Sequence, residues 1–455
     1  MVELRFLTNA GVEIIAGPAR LLCDPWLVPG AFDGSWWQYP EVQTKPEELT
    51  EYTHLYISHI HSDHCDPRTL RRLPNKDVPV FILKGVGPFL KERIRSCGFR
   101  NIVELHDRET VEVAPGVVLR MYGAFAPNPF IDSSVPNIID SSIVVSDGVT
   151  TVLNVNDNTP TVDACRRIVE DYPVISVALL PYVGVGPYPS SYHRIEEFSF
   201  VPQERAVVRL GPLLNREVLS REKAVKYLCR FLENARVLQP KILVPFAGQM
   251  VLGGRQSHKN AFLGVASLQE AADAVRAEFV TVVPYEGDVL DAVTGVVERG
   301  LPRASSSEVV DYVDRISNVP SWWEKAFMVP REEFIDLLPL LQAARERLWS
   351  YQERFSYFPN WSVAVSIAED PDQCFVFWMM ESPERARSVR RSALRFLPVT
   401  EERFLLVTVP YNYLLAVLTR HAHWNNAYHG CHVEWLRHPD SYEPELQTVL
   451  SFFHL

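Results

Sequence analysis

The chain has no run of 18 uninterrupted apolar residues, no cysteine pair at cluster or zinc-ribbon spacing, and no dense basic cluster. Each absence removes a class of function. Without a long apolar run a membrane-spanning helix is not expected. The seven cysteines, Cys23, Cys65, Cys97, Cys165, Cys229, Cys374 and Cys431, are odd in number and dispersed, without a CxxC or CxH pair. That disfavours a disulfide framework, a zinc ribbon and a Rieske cluster, and predicts reduced, mostly buried thiols. With 45 Lys and Arg against 56 Asp and Glu the net charge is −11, so nucleic acid is not the expected partner. No GxSxG nucleophile motif occurs, and no flavin, haem or iron–sulfur motif. The N-terminal MVELRFLTNAGVEII carries acidic and polar residues where a secretory signal needs a basic start and an apolar run, which predicts a cytoplasmic protein.

What is present is ordinary globular material: 455 residues, 47% hydrophobic and 22% charged, enough for several domains with sizeable cores. Short β-rich runs come first, at Val2–Leu7, Val12–Ile15, Arg20–Cys23 and His54–Ser58. Helical periodicity at Pro88–Cys97 and Val162–Asp171 alternates with strand-like runs at Val117–Phe125, Ser141–Val145, Val149–Val155 and Val174–Leu180. Helices are expected at Glu222–Asn234 and Leu268–Glu278, with strands at Lys241–Phe246 and Phe279–Val283. Two facing sheets with helices outside fit this order. The polar LPRASSS near Leu301–Ser307 marks a boundary, so domains are expected at residues 1–300 and 301–455. The second reads as a helix over Glu332–Gln352, strands at Trp361–Ile367, Cys374–Met380 and Arg403–Thr408, a helix near Tyr413–Thr419 and a final helix ending at Leu455. No internal repeat is visible.

The strongest chemical signal is Ser58-His59-Ile60-His61-Ser62-Asp63-His64, an HxHxDH pattern directly after an apolar strand. A loop at a strand end that projects three imidazoles and a carboxylate into one small space suits a dinuclear metal site. Without a metal such groups would repel when charged and gain little.

Together with Asn9-Ala10-Gly11, the strand-terminal Asp24-Pro25-Trp26 and Asn156-Asp157 after an apolar strand, this motif resembles the metallo-β-lactamase superfamily over roughly residues 1–300. The resemblance implies an α/β protein with an αββα sandwich, here followed by a smaller α+β C-terminal domain. It also implies that Asp157 bridges two metals. Hydrolases of that family place a third His before the strand leading to the bridging Asp, yet no His lies between His106 and His193. Asp140 occupies that place, with Asp132 as runner-up. A carboxylate in place of an imidazole shifts metal preference from zinc towards iron or manganese. For the family's last His, the expectation is His258, with His193 as competitor.

The Asp24-Pro25-Trp26-Leu27 segment, its following aromatic loop and Pro245-Phe246-Ala247-Gly248 resemble a narrower branch that includes the CMP-N-acetylneuraminate hydroxylases. More loosely, the layout is similar to the diiron oxygenases of antibiotic biosynthesis, such as the chloramphenicol-pathway β-hydroxylase and the platensimycin-pathway diterpenoid hydroxylase. These resemblances imply a non-haem diiron monooxygenase that hydroxylates a C–H bond of a bulky, secondary-metabolite-like substrate with O2 as co-substrate. His59, His61 and Asp140 would hold one iron, Asp63, His64 and His258 the other, and Asp157 would bridge them. Electrons would come from an external donor such as a ferredoxin or a reductase. A metal-dependent hydrolase of lactone, phosphoester or amide bonds, using zinc or manganese, is the rival; a non-catalytic metal-binding module is the third reading. The substrate, the reductant and the oligomeric state stay open.

Phe32, Trp36, Trp37 and Tyr39 lie in a Gly/Pro-punctuated loop, and Tyr182, Tyr188 and Tyr192 in another. Of these, Trp36, Trp37 and Tyr192 are the expected substrate-pocket walls. His421, His423, His429, His432 and His438 lack ligand spacing and are expected to play no metal role. The Leu-rich helix and Trp424-Asn425-Asn426-Ala427 resemble a sterol-carrier-like C-terminal domain, which implies an apolar tunnel or a dimer surface.

Overall fold

The computed structural model describes residues 2–85, 88–124, 140–184, 193–201, 205–213, 215–301, 306–390, 403–438, 446 and 449–455. Two sheets face each other. The first has eight strands in the order Val297–Glu298, Val289–Asp291, Val2–Phe6, Val12–Ala16, Ala19–Cys23, His54–Tyr56, Val80–Leu83 and Ile102–Leu105. Its first five strands pair antiparallel and its last three join in parallel. The second has six, ordered Ile242–Phe246, Val177–Pro181, Thr151–Asn154, Ser142–Ser146, Val117–Tyr122 and Thr110–Ala114.

The layering follows from alternation along each strand, because successive side chains point to opposite faces. In Ser142–Ser146, Ile143 and Val145 enter the core shared by both sheets, beside Leu4, Ile14 and Leu21. Val144 between them packs outward with Cys165, Ile168, Phe231 and Ala272 of the covering helices Val162–Asp171, Arg216–Leu238 and Leu268–Val275. On the far side Leu22, Leu55 and Val80 pack against Leu70 and Ile94 of helices Pro67–Arg72 and Phe89–Ser96. The result is a helix, sheet, sheet, helix sandwich.

From Trp323 onward a separate apolar core forms around a five-stranded sheet ordered Arg387–Arg390, Asp370–Trp378, Ser362–Ile367, Phe404–Val409 and Glu434–His438. Helices Leu338–Phe355 and Tyr411–Leu418 pack on it.

Several expected elements shift. The helix expected over Glu332–Gln352 starts at Leu338, after a separate turn at Arg331–Glu333. The one expected over Glu222–Asn234 runs from Arg216 to Leu238, because the Asn215 side chain caps it by accepting from Val218 N. Phe279–Val283 does not form a strand but a single bridge, Thr281 to Leu243. The last residues are not helical: Phe453 is buried, its carbonyl accepts from Trp424 Nε1 at 2.6 Å, and Leu455 N donates to Leu418 O. No helix among the described residues is long and apolar enough to cross a membrane.

Candidate metal centre

The HxHxDH loop leaves the end of strand His54–Tyr56 and closes into a turn, His64 N and Cys65 N both donating to His61 O. Asp66 then caps helix Pro67–Arg72 by accepting from Arg68 N and Thr69 N. The loop is thus fixed at both ends. Asp24, at the end of the neighbouring strand, holds it from beneath. Its buried carboxylate accepts from Ser58 N at 2.8 Å, Ser58 Oγ at 2.7 Å and His64 Nδ1 at 3.0 Å. Ser58 Oγ in turn accepts from His59 Nδ1 at 2.9 Å. The Nδ1 side of each imidazole is thus taken up by a hydrogen bond, which leaves the Nε2 side facing the cluster, the orientation of metal-ligating histidines.

Two groups of donors converge. His59 Nε2 lies 2.8 Å from His61 Nδ1 and 3.6 Å from Asp140 Oδ1. His64 Nε2 lies 3.3 Å from Asp63 Oδ2 and 3.2 Å from Asp157 Oδ2. His59, His64 and Asp157 offer donor atoms that all lie within 4.8 Å of one another. Asn9, held in a left-handed conformation, explains the Asn-Ala-Gly turn: its Nδ2 donates to Asp63 Oδ2 at 3.3 Å and its Oδ1 accepts from Gln249 N at 3.2 Å. Gly11 is needed there because a Cβ would stand 2.9 Å from Thr8 O.

Asp157 and Asp140 come from the second sheet. Asn156 turns the chain with φ 54°, which Asn tolerates, and its N–H donates to Asn154 Oδ1. Thr161 caps the following helix, so Asp157 is not spent as a cap. Next to Asp140, Ser141 Oγ donates to Ser58 O at 2.8 Å and pairs with Tyr56 Oη at 2.9 Å, tying the two sheet ends together.

The electrostatics are those of a cation site. Burial, with help from the neighbouring imidazoles, holds His59 and His61 well below the usual histidine range, so both are neutral and able to donate lone pairs. For His64 burial acts in the same direction, but Asp63, Asp157 and Asp24 outweigh it and hold the ring well above its usual range. Enclosure and then repulsion from Asp157 push the Asp140 carboxyl up to about 7. Asp63 Oδ1 and His61 Nε2 are buried without a hydrogen-bond partner among the described residues. Crowded carboxylates, lone pairs aimed inward and an orphaned carboxylate oxygen all fit bound metal.

A sandwich of this layering with an HxHxDH loop at the strand ends has one reading. The fold is that of the metallo-β-lactamases. No family model matches the chain. It is similar to a protein of Mycolicibacterium smegmatis named as a Rieske 2Fe-2S iron–sulfur protein, with 37% identity over 198 residues, 42% of this chain and 36% of the relative. It is also similar to cytidine monophosphate-N-acetylneuraminic acid hydroxylase of Danio rerio, with 38% identity over 84 residues, 18% of this chain and 14% of that protein. The chain thus spans about a third or less of the length of these curated relatives. Among solved structures, CmlA, a diiron β-hydroxylase from Streptomyces venezuelae, aligns with a TM-score of 0.41 at 16% identity over 63% of this chain and 53% of that one. An isothiocyanate hydrolase from Delia radicum gut bacteria aligns with a TM-score of 0.41 at 16% identity over 64% of this chain and 98% of that one.

The cluster at the sheet ends gathers six of the seven expected donors and not the last. His258 is exposed, its Nδ1 donates to Arg255 O at 2.9 Å, and its charged neighbours are Lys259, Glu434 and Arg216 rather than any metal-site residue. His193 begins a strand in a two-stranded sheet apart from the sandwich sheets. Asp132, Tyr188 and Tyr192 lie outside the described residues. The imidazole that does reach the cluster is His429, whose ring lies 4.6 Å from that of His61, tilted by 56°. Its sequence spacing carried no signal, since only tertiary packing brings it there.

Trp36 and Trp37, expected as pocket walls, pack against other parts of the chain. Trp36 is 3% exposed, packs 4.5 Å from Phe32, and its Nε1 donates to His429 O at 2.8 Å. Trp37 Nε1 donates to Gly34 O, in a strand paired with Met250–Leu252. Tyr182 is fully buried against Phe231. Tyr39 does line a cavity of about 580 Å³ with Tyr285, Tyr312 and Arg315, but no metal-site donor lines it.

Proposed function

We propose that this chain is an O2-dependent hydroxylase with two iron ions, acting on a C–H bond of a bulky small molecule. The observation that carries the reading is the Asp140 carboxylate 3.6 Å from His59 Nε2. With Asp63 and Asp157 it makes three carboxylates among six donors, a hard and anionic set that favours iron or manganese over zinc. The similarity to a named hydroxylase supports the same reading.

In this reading His59, His61 and Asp140 hold one metal and Asp63 and His64 the other, with Asp157 between them. Bound there, the irons supply O2 activation. The chain's own part is to orient and to exclude water. Asp24 and Ser58 fix the imidazole tautomers, Asn9 aims Asp63, and Phe32, 5.7 Å from His61, roofs the loop with an apolar ring. Among the described residues every cysteine except Cys229 is buried. In this reading the electrons come from an external donor, a ferredoxin or reductase. In this reading residues 301–455 make up a second, α+β unit resembling the sterol-carrier type, and its described part meets the metal unit through Trp36 with His429 and Asp33 with Asn426.

The test is metal analysis of protein grown in iron-supplemented medium and purified without air, followed by O2 consumption with a chemical reductant. Two irons per chain and reductant-dependent O2 uptake are expected. Two zinc ions, no O2 uptake and cleavage of a lactone or phosphoester panel would overturn the reading in favour of hydrolysis.

A further inference from the structure

We propose that His429, from the C-terminal region, supplies the seventh donor of the metal centre, so that the centre is complete only when that region is docked. The inference rests on the dinuclear reading above. It begins from the ring of His429, half-buried, 4.6 Å from His61 at 56° and 5.7 Å from Phe32, with Asp63 and Asp157 as its charged neighbours. Six donors converge at the sheet ends, while the residue that sequence reasoning put seventh, His258, faces away.

The approach of His429 is built rather than incidental. Four independent hydrogen bonds join its short helix, Trp424–His429, and the residues after it to the first region. Trp36 Nε1 donates to His429 O, Asn426 Nδ2 to Asp33 Oδ1 at 3.2 Å, His432 Nε2 to Phe32 O at 2.8 Å and Lys259 Nζ to Cys431 O at 2.5 Å. Gly430 permits this closeness, since a Cβ there would stand 2.6 Å from Asn426 O and 2.7 Å from Phe32 O. On the receiving side Phe32 and Asp33 both have left-handed backbones, φ 48° and 58°. Non-glycine residues adopt that conformation only under strain, and such strain collects at functional sites. The Phe32 ring flanks both His61 and His429, 5.7 Å from each.

The experiment loads metal-free wild type, His429→Ala, His429→Gln and His258→Ala with Co²⁺ alone. It reads stoichiometry, affinity by chelator competition and the visible ligand-field spectrum. Wild type and His258→Ala should bind two equivalents with the same spectrum. The His429 variants should keep one tight equivalent, bind the second on the order of 100-fold more weakly, and show an altered spectrum. Should His429→Ala fail to fold by circular dichroism, His429→Gln, which keeps bulk and polarity, gives the reading. Two equivalents at wild-type affinity with a wild-type spectrum in the folded variant would overturn the assignment and leave the dinuclear centre standing. Fewer than two equivalents in wild type would overturn both.

Discussion

His64 Nδ1 donates to Asp24 Oδ2 at 3.0 Å across a separation of forty residues in sequence, and Asp24 has no solvent exposure. This pair converts a strand-terminal Asp-Pro-Trp segment into the support of an imidazole of the candidate metal centre. Asp24→Asn keeps the volume but replaces one carboxylate oxygen by an amide N–H, which faces a donor. Metal affinity at the His64 position should fall about 10- to 100-fold, read by chelator competition. Unchanged affinity would mean that His64 is oriented by other contacts.

Removing a donor should cost more. In His61→Ala and Asp157→Ala, metal content should fall by at least one equivalent per chain, because no neighbouring group can replace a lone pair or a negative charge at those points. His421 packs on Phe327 and pairs with Thr419 Oγ1, so His421→Ala should keep the wild-type metal content. Stoichiometric metal in both donor variants would defeat the dinuclear centre.

The Asp33 carboxylate should matter for stability. Half-buried, with its carboxyl pushed up by desolvation, it accepts from Tyr413 Oη at 2.8 Å, Asn426 Nδ2 at 3.2 Å and Trp322 Nε1 at 3.3 Å. Asp33→Ala leaves those donors without an acceptor and should destabilise the protein by about 3 kcal/mol, measured by urea unfolding. A change below about 0.5 kcal/mol would show that this contact between the two regions contributes little.

pH should act through Asp140. Its folded carboxyl, raised from 3.8 to about 7, binds a proton more tightly than in the unfolded chain. Its contribution is therefore most favourable below about pH 4, and it is lost as pH rises towards 7. His59, His61 and His429, held low by burial, act in the opposite sense and are lost as pH falls below about 6.5. Subtracting metal-free Asp140→Asn from metal-free wild type isolates the first effect. The difference in thermal midpoint should change between pH 4 and 7 and be flat above. A difference that is flat throughout would show that the Asp140 carboxyl titrates alike in both states.

Much of this was legible in the sequence because it is local. HxHxDH sits on one turn, Asp157 follows one apolar strand, and the alternation in Ser142–Ser146 is the layering itself. Asp24 and Asn9 could be flagged by resemblance, but their hydrogen bonds to His64 and Asp63 could not, since strand order decides which loop ends meet. His429 lies 365 residues beyond His64 in number, on a six-residue helix without ligand spacing. Only the docking of two separately cored regions brings it in, and no periodicity encodes that. Trp36 misled for a related reason: an aromatic in a Gly/Pro loop signals burial against something, without saying whether that is a ligand or another part of the chain.

Under the proposed function Asp140 separates oxygen from hydrolytic chemistry, so its replacement is the most discriminating. As a terminal ligand its negative charge would stabilise an oxidised iron pair, whereas an imidazole there would give His59 and His61 a third nitrogen neighbour and soften the set towards zinc. In Asp140→His, grown beside wild type with equal iron and zinc supplied, the ratio of bound zinc to iron should rise and reductant-dependent O2 uptake should fall. The imidazole is bulkier than the carboxylate it replaces, so Asp140→Glu serves as the control: it keeps the charge and should retain iron while losing some rate through misplacement. If Asp140→His holds iron and consumes O2 as wild type does, the carboxylate is not a ligand. The choice of metal must then rest on Asp63 and Asp157, with the third donor to His59 and His61 coming from elsewhere.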